Sequence, residues 1–209
     1  MNTEYFGPKL NISSDEYRKK LDRLKQIPGT CIFIDVCGST ELKNKSDSRY
    51  WIPVIGNTLS VGQTLPLLEN PLKVIGDELM YFIPDEEVKG NKAAHAIMMQ
   101  SLTQFVSTWG YFLDNTMLHL KAAIHYTTDV YQISYFGTPE KPQLDYYGSG
   151  IDLSARLMSV TDDRVIIVSD DFLNIAKQEY PKFFSGLLGP FSEHFKGFLE
   201  ETTYWKKTV

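Results

Sequence analysis

The chain has 209 residues, of which 43% are hydrophobic, and a formal net charge of −5 at pH 7. A chain of this size and composition can bury one sizeable core, which predicts one domain with at most a short appendage. The negative charge argues against nucleic acid or an anionic membrane as the main partner, although a local basic pocket can still bind a phosphorylated small molecule. Because neither a signal peptide nor an apolar run of membrane-spanning length is visible, we expect a cytoplasmic protein.

Residues 1–28 are predicted to form an N-terminal segment with one short helix, and residues 29–209 the main domain. Ser13 and Glu16 have the spacing of a capping box, which marks the start of a helix. We expect this helix to end near Pro28, before the first strand of the domain.

An apolar strand over residues 31–36 has an acid, Asp35, where the strand stops. Gly38, Ser39 and Thr40 then offer the turn and capping residues that open a helix. A carboxylate beside a helix N-terminus can hold a cation while the free N–H groups hold a phosphate. Taken alone the pattern is weak, because an acid followed by a glycine closes many ordinary strands.

A hairpin follows a polar, helix-compatible segment that Pro53 and Gly56 are expected to interrupt. Residues 72–75 and 78–83 are predicted strands, and the two residues between them, glycine and Asp77, are typical of a tight hairpin turn. Asp77 is therefore expected at the tip of the hairpin.

The remaining elements alternate between the two kinds of secondary structure. We predict a helix over 90–109, a pair of strands over 118–126 and 130–136, a helix within 144–160, a strand over 164–168, a helix over 170–178 and strands within 191–205. The order β-α-β-β-α-β followed by α-β-α-β-β predicts an α/β (α+β) fold, a ferredoxin-like βαββαβ sandwich with a C-terminal αβαββ extension.

In that topology the first strand and the hairpin lie side by side, so Asp35 and Asp77 are expected to meet at one end of the sheet. Two carboxylates at such a short distance repel each other unless a cation lies between them. Oxygen ligands with room for water and phosphate suit Mg²⁺ or Mn²⁺. A paired-metal site beside a phosphate-binding turn is the arrangement that phosphoryl transfer needs.

Four segments together resemble the signatures of the class III nucleotidyl cyclases, in the order that this family has them. They are Phe33–Thr40, which resembles the first metal motif; Lys73–Asp77, which resembles the Lys-x-Ile-Gly-Asp motif; Asp145–Gly148 with Asp152 and Arg156 at the family's spacing; and Phe195–Phe198 with Thr203–Trp205, which resemble the closing segment. The resemblance implies the catalytic domain of a cyclase over residues 29–209, and it extends from about residue 30 to residue 206.

The resemblance also implies a role for each site residue. Asp35 and Asp77 would bind two metal ions per site, with the carbonyl of Val36 as a further ligand, and Gly38, Ser39 and Thr40 would hold phosphate. The active protein would be a homodimer with sites at its interface. The opposite protomer would supply a second set of residues, namely Asp145, Asp152 and Arg156.

Arg156 would stabilise the charge that develops on the phosphates, a role suited to a planar, permanently charged fork of donors. The alternative is a helix-surface arginine that pairs with Asp152 four residues earlier. The family usually has Asn in place of Asp152, and a carboxylate accepts hydrogen bonds where an amide also donates them. Lys196 is the local candidate for a phosphate-binding lysine near the end of the domain, and His125 is expected to be structural.

The residues expected to contact the nucleobase of the substrate support two interpretations of which base is bound. Lys73 and Asp145 match the pair that selects adenine in adenylate cyclases of this family, which favours ATP. In size and layout, however, the chain resembles the stand-alone cyclases of bacterial anti-phage systems that make cyclic UMP or cyclic CMP. Tyr50 would stack on a pyrimidine, or would instead be a core residue together with Trp51. We favour a pyrimidine nucleotide, cyclic UMP ahead of cyclic CMP, as the second messenger in antiviral defence, read by an effector without stable contact.

Two other classes of protein share parts of this pattern. Polymerase palm domains and diguanylate cyclases have the same topology and metal chemistry, but the signature that contains Arg156 has no place in them. An inactive cyclase homologue that only binds a nucleotide is the second alternative, and Asp152 in place of Asn is the residue that favours it.

Overall fold

A computed structural model of the chain describes residues 4–7, 11–113, 118–184 and 186–209. The helices are α1 (Asp15–Leu21), α2 (Ser39–Lys45), α3 (Ser48–Ser60), α4 (Ala94–Leu113), α5 (Ser149–Met158) and α6 (Asp170–Glu179). The strands are β1 (Glu4–Tyr5), β2 (Gly29–Cys37), β3 (Lys73–Ile75), β4 (Glu78–Pro84), β5 (His119–Thr127), β6 (Tyr131–Gly137), β7 (Pro142–Tyr147), β8 (Val165–Ser169), β9 (Leu188–Glu193) and β10 (Thr202–Thr208). No helix within these ranges is long and apolar enough to cross a membrane.

A seven-stranded sheet in the order β3-β4-β2-β5-β8-β10-β9 forms the centre of the molecule. Successive side chains of β2 point to opposite faces of this sheet. Ile32 and Ile34 pack into the larger core cluster with residues of α4 and α6, whereas Phe33 packs into a second cluster with Leu157 of α5. Helices therefore cover both faces, and the predicted ferredoxin-like α/β sandwich with its C-terminal extension is confirmed.

The pairing predicted between the strands at 118–126 and 130–136 is wrong. Both edges of β5 are occupied, by β2 on one side and β8 on the other. Since a strand inside a sheet has no free edge, β6 instead pairs antiparallel with β7 and parallel with β1 in a separate three-stranded sheet. This additional hairpin carries Asp145 on β7.

The interruption predicted at Pro53 and Gly56 is also wrong, because α3 is continuous through both residues. Its start is capped by Asp47, which accepts a hydrogen bond from the backbone N–H of Arg49 at 2.8 Å. A proline inside a helix costs about 3 kcal/mol. The helix persists because its inner face, which includes the buried Ile55, packs against the core.

The N-terminal segment differs from the prediction at both ends of its helix. The cap of α1 is Ser14 and not Ser13, since the Ser14 hydroxyl accepts a hydrogen bond from the backbone N–H of Tyr17 at 3.1 Å. The helix ends at Leu21, well before Pro28. Residues 1–3 and 8–10 of this segment lie outside the described ranges, and the domain boundary after residue 28 stays a prediction.

The helix α5 packs tightly on the end of β5 at Gly150. A Cβ atom on Gly150 would lie 2.1 Å from the Thr127 hydroxyl oxygen. We therefore expect Gly150→Ala to lower the free energy of unfolding by about 1–3 kcal/mol, as overpacking does in other cores. Chemical denaturation measures this change.

Gly56 in α3 provides the matched control, because no atom lies within 4 Å of the position that its Cβ would take. Gly56→Ala should raise the free energy of unfolding by about 0.5–1 kcal/mol through helix propensity alone. Similar changes for the two alanine variants would contradict the close packing of α5 on β5.

Candidate active site

Asp35 and Asp77 face one cleft, which we call the aspartate cleft. Asp35 lies near the end of β2, and Asp77 lies in the tight turn between β3 and β4, across which Ile75 pairs with Glu78. The same cleft is lined by Val36, Gly38, Ser39 and Thr40. The fold thus brings together the carboxylates and the turn that the sequence singled out.

Two lysines stand beside the two aspartates. The Lys121 ammonium is 3.4 Å from a carboxylate oxygen of Asp35, and the Lys43 ammonium is 3.1 Å from one of Asp77. Glu78 is opposite Asp35 on β4, and burial, followed by repulsion from Asp35, raises the pKa of Glu78. Several carboxyl groups therefore lie close together here, and each aspartate pairs with the ammonium group of a lysine.

The chemistry of the aspartate cleft fits a hard divalent cation such as Mg²⁺ or Mn²⁺. Its candidate ligands are the carboxylates of Asp35 and Asp77 and the carbonyl of Val36. Cys37 also lines the cleft, but burial, followed by its hydrogen bond with Asp163, raises the pKa of the thiol to about 12 and keeps it protonated at pH 7. Within the described ranges, no three His, Cys, Asp or Glu side chains form a complete metal cage, so water and substrate oxygens would complete the coordination shell.

The turn after β2 opens α2 without a side-chain cap. Gly38, the N-cap residue, adopts a left-handed backbone conformation with φ of 81° and has no side chain that could cap the first turn of the helix. A residue with a Cβ is strained at this φ, which explains the glycine. Ser39 is buried under the turn, and Thr40 is exposed beside it. Phosphate binding by this turn stays a prediction.

Lys73 and Asp145 form an ion pair within the protomer. The Lys73 ammonium donates to a carboxylate oxygen of Asp145 at 2.6 Å, and the backbone N–H of Tyr146 donates to the other oxygen at 2.8 Å. The pair connects β3 of the large sheet to β7 of the small one. It presents one strong donor and one strong acceptor side by side, which suits the edge of a nucleobase.

Asp152, Arg156 and Lys196 line a second cleft, which we call the arginine groove. Asp152 and Arg156 are four residues apart on α5, yet no ion pair or hydrogen bond joins their side chains within the part of the chain that the structure describes. Both side chains are exposed. The alternative in which Arg156 is occupied by Asp152 is therefore not observed.

The aspartate cleft and the arginine groove share no lining residue. In one protomer the two acids and the arginine consequently belong to separate surfaces.

Tyr50 and His125, two further residues considered in the sequence analysis, lie outside both clefts. Tyr50 is 48% exposed on α3 and lines neither cleft, whereas its neighbour Trp51 packs partly buried against the core. His125 is buried and bonds the Ser169 hydroxyl at 3.0 Å, and burial lowers the pKa of the imidazole to about 4. His125 therefore has the structural surroundings expected of it.

Lys43 and Lys121 are the residues of the site that the sequence patterns did not indicate. Lys121 faces Asp35 because the two residues are register partners of β5 and β2. That register depends on which strands are neighbours, so only the alternation of polar and apolar residues at the start of β5 hints at the position of Lys121.

Solved catalytic domains of cyclases have the same fold as this chain. The adenylyl cyclase CyaB from P. aeruginosa matches with a TM-score of 0.70 and 17% identity, over 88% of this chain and 95% of that one. The guanylyl cyclase Cya2 matches with a TM-score of 0.61 and 14% identity, over 88% and 92%. The catalytic core of a rhodopsin-guanylyl cyclase with converted specificity, solved in complex with ATPαS, matches with a TM-score of 0.61 and 15% identity, over 88% and 97%.

This likeness shows that the chain has the fold of a class III nucleotidyl cyclase catalytic domain. No family model and no curated protein matches the sequence.

Proposed function

We propose that the chain is a homodimeric nucleotidyl cyclase, a phosphorus-oxygen lyase that converts a nucleoside triphosphate into a 3′,5′-cyclic monophosphate and pyrophosphate. The observation that carries the proposal is the division of the site residues between two clefts, with Asp35 and Asp77 in one and Arg156 in the other. In a dimer with two-fold symmetry, each aspartate cleft can meet the arginine groove of the opposite protomer. The shared cyclase fold supports the same reaction.

In this proposal the 3′-oxygen of the ribose bonds to the α-phosphorus, the bond from that phosphorus to the pyrophosphate breaks, and the hydroxyl proton is released. Asp35, Asp77 and the Val36 carbonyl would hold two Mg²⁺ or Mn²⁺ ions, which lower the pKa of the attacking hydroxyl and neutralise the leaving pyrophosphate. Arg156 from the opposite protomer stabilises the charge on the reacting phosphate through its fork of donors.

The remaining candidate residues bind and orient the substrate. The turn at Gly38, Ser39 and Thr40 holds phosphate oxygens, and Lys196 adds positive charge on the opposite side. Asp152, exposed in the arginine groove, accepts hydrogen bonds from the ribose.

We infer that the base is a pyrimidine, with UTP ahead of CTP. Asp152 in place of the family's usual Asn supports an altered nucleoside pocket, whereas Tyr50, which lines neither cleft of the protomer, adds no support. ATP is the second candidate, because Lys73 and Asp145 form the donor and acceptor pair that the sequence links to adenine. An inactive, nucleotide-binding homologue is the third.

One competition experiment tests these proposals. The purified protein is incubated with Mn²⁺ and equal amounts of ATP, GTP, CTP and UTP, and the products are identified by mass spectrometry. We expect one predominant 3′,5′-cyclic monophosphate, cyclic UMP. Predominant cyclic AMP would reject the pyrimidine inference and keep the cyclase, whereas tight nucleotide binding without any cyclic product would reject the cyclase itself.

We further propose that the product is a second messenger in antiviral defence, an extension of the resemblance to anti-phage cyclases. Its appearance in cells only after phage infection would support this role. The cytoplasmic location, the absence of a nucleic-acid partner and the downstream effector stay predictions.

A further inference from the structure

A row of aromatic rings leads from the N-terminal segment to the Lys73–Asp145 pair. The Phe6 ring lies 6.0 Å from that of Tyr135, measured between centroids, and Tyr135 meets Tyr147 edge to face at 5.3 Å. The Lys73 ammonium then lies 5.7 Å from the centroid of Tyr147. We call Phe6, Tyr135 and Tyr147 the aromatic row.

The near end of the row lies beside both members of the pair. The Lys73 ammonium lies over the ring face of Tyr147, and Asp145, two residues earlier on β7, is on the same face of that strand. Burial, followed by a hydrogen bond with Asp145 and the charge of that carboxylate, raises the pKa of the Tyr147 phenol, in agreement with this placement. We therefore expect a shift of Tyr147 to displace the donor and the acceptor of the pair together.

The far end of the row is anchored on β1. This short strand pairs in parallel with β6, and the backbone N–H of Phe6 donates to the Ser134 carbonyl at 2.7 Å. The Tyr5 hydroxyl also donates to the Gly137 carbonyl at 3.0 Å. Phe6 is only 5% exposed and meets Tyr17 of α1 edge to face at 5.3 Å. The ring that supports Tyr135 is therefore fixed on both sides.

We propose that the N-terminal segment sets base selectivity, with Phe6 and Tyr135 as positioning residues that hold Tyr147, and through it Lys73 and Asp145, in the geometry that reads the base. This inference rests on the proposed function, and it adds a role for a segment whose described residues line neither cleft. A segment that merely covered the edge of β6 would affect all nucleotides alike.

The test compares Tyr135→Leu with Tyr135→Phe. Tyr135 is 40% exposed, so both variants should fold. Leucine removes the ring and its edge-to-face contact, whereas phenylalanine keeps both. Phe6→Leu removes the ring at the far end of the row while keeping its apolar volume. Phe136→Leu is the control, because Phe136 is the next residue on β6 and is 65% exposed.

The measurements are kcat and KM for the four ribonucleotides, together with their affinities by calorimetry. For Tyr135→Leu and Phe6→Leu we expect the ratio of kcat/KM between the preferred and the next nucleotide to fall about three- to tenfold, the value of one aromatic contact. The change should lie mainly in KM. Tyr135→Phe and Phe136→Leu should keep the ratio of the wild type.

An equal loss for all four nucleotides, or an unchanged ratio in the leucine variants, overturns the inference. The failure of the proposed function looks different, since the wild type would then give no cyclic product. In that case calorimetry alone decides, and variants that bind the four nucleotides with the selectivity of the wild type overturn the inference.

Discussion

Asp77→Asn is expected to lower kcat by about 10³-fold or more. The substitution removes one of the two carboxylates that would hold the metal ions, whose stabilisation of the reacting charges is worth several kcal/mol, and each 1.36 kcal/mol corresponds to about a factor of ten in rate. The free energy of unfolding should change by about 1 kcal/mol or less, because the lost partner is the partly exposed Lys43. Steady-state kinetics with Mn²⁺ and chemical denaturation measure the two effects.

Glu86→Gln is the control for the loss of one negative charge. Glu86 follows the far end of β4 and pairs with Lys89 on the surface, at 3.4 Å. This variant should keep the activity of the wild type. Activity retained by Asp77→Asn would contradict the metal assignment, whereas a comparable loss in Glu86→Gln would point to overall charge as the cause.

Arg156→Ala is expected to lower kcat by about 10²- to 10³-fold with a smaller change in KM, the usual effect of removing one preorganised donor to a transition state. Arg156→Lys should recover only part of the activity, because an ammonium offers a point charge and no bidentate fork. Folding should be unaffected, since no ion pair of Arg156 is lost within the described part of the chain.

The control is Arg18→Ala on α1. Arg18 is also an exposed helical arginine, and its side chain forms a long, exposed pair with Asp15 at 4.0 Å. Normal kcat in this variant together with normal kcat in Arg156→Ala would contradict the role of Arg156. A loss confined to Arg156→Ala would support it.

The parts of the fold that the sequence predicts correctly depend on local signals. The hairpin around Asp77 is predicted by the Gly76–Asp77 pair between two apolar runs. The structure agrees, since Gly76 adopts the left-handed conformation with φ of 68°. The strand that carries Asp35 follows from the continuous apolar run over residues 31–34, all of which are buried. Because consecutive strands tend to be neighbours, the two aspartates can be placed together before any coordinate is known.

The incorrect predictions concern strand pairing and helix continuity, which depend on residues distant in the sequence. Nothing within 130–136 indicates that β6 leaves the large sheet, since the reason is the occupation of both edges of β5 by β2 and β8. The helix α3 survives Pro53 because of the core that it covers. The place of Lys121 beside Asp35 is likewise decided by distant residues, because it depends on the register between β5 and β2.

The mixing of two inactive variants tests most directly whether each site is shared between protomers. Asp77→Asn and Arg156→Ala are unfolded together, refolded as an equimolar mixture and assayed. Random pairing gives mixed dimers as about half of the total, each with one intact site of two, so about one quarter of the wild-type activity should return. Activity that stays at the level of the separate variants, in a mixture shown to contain mixed dimers, would contradict a site built from both protomers.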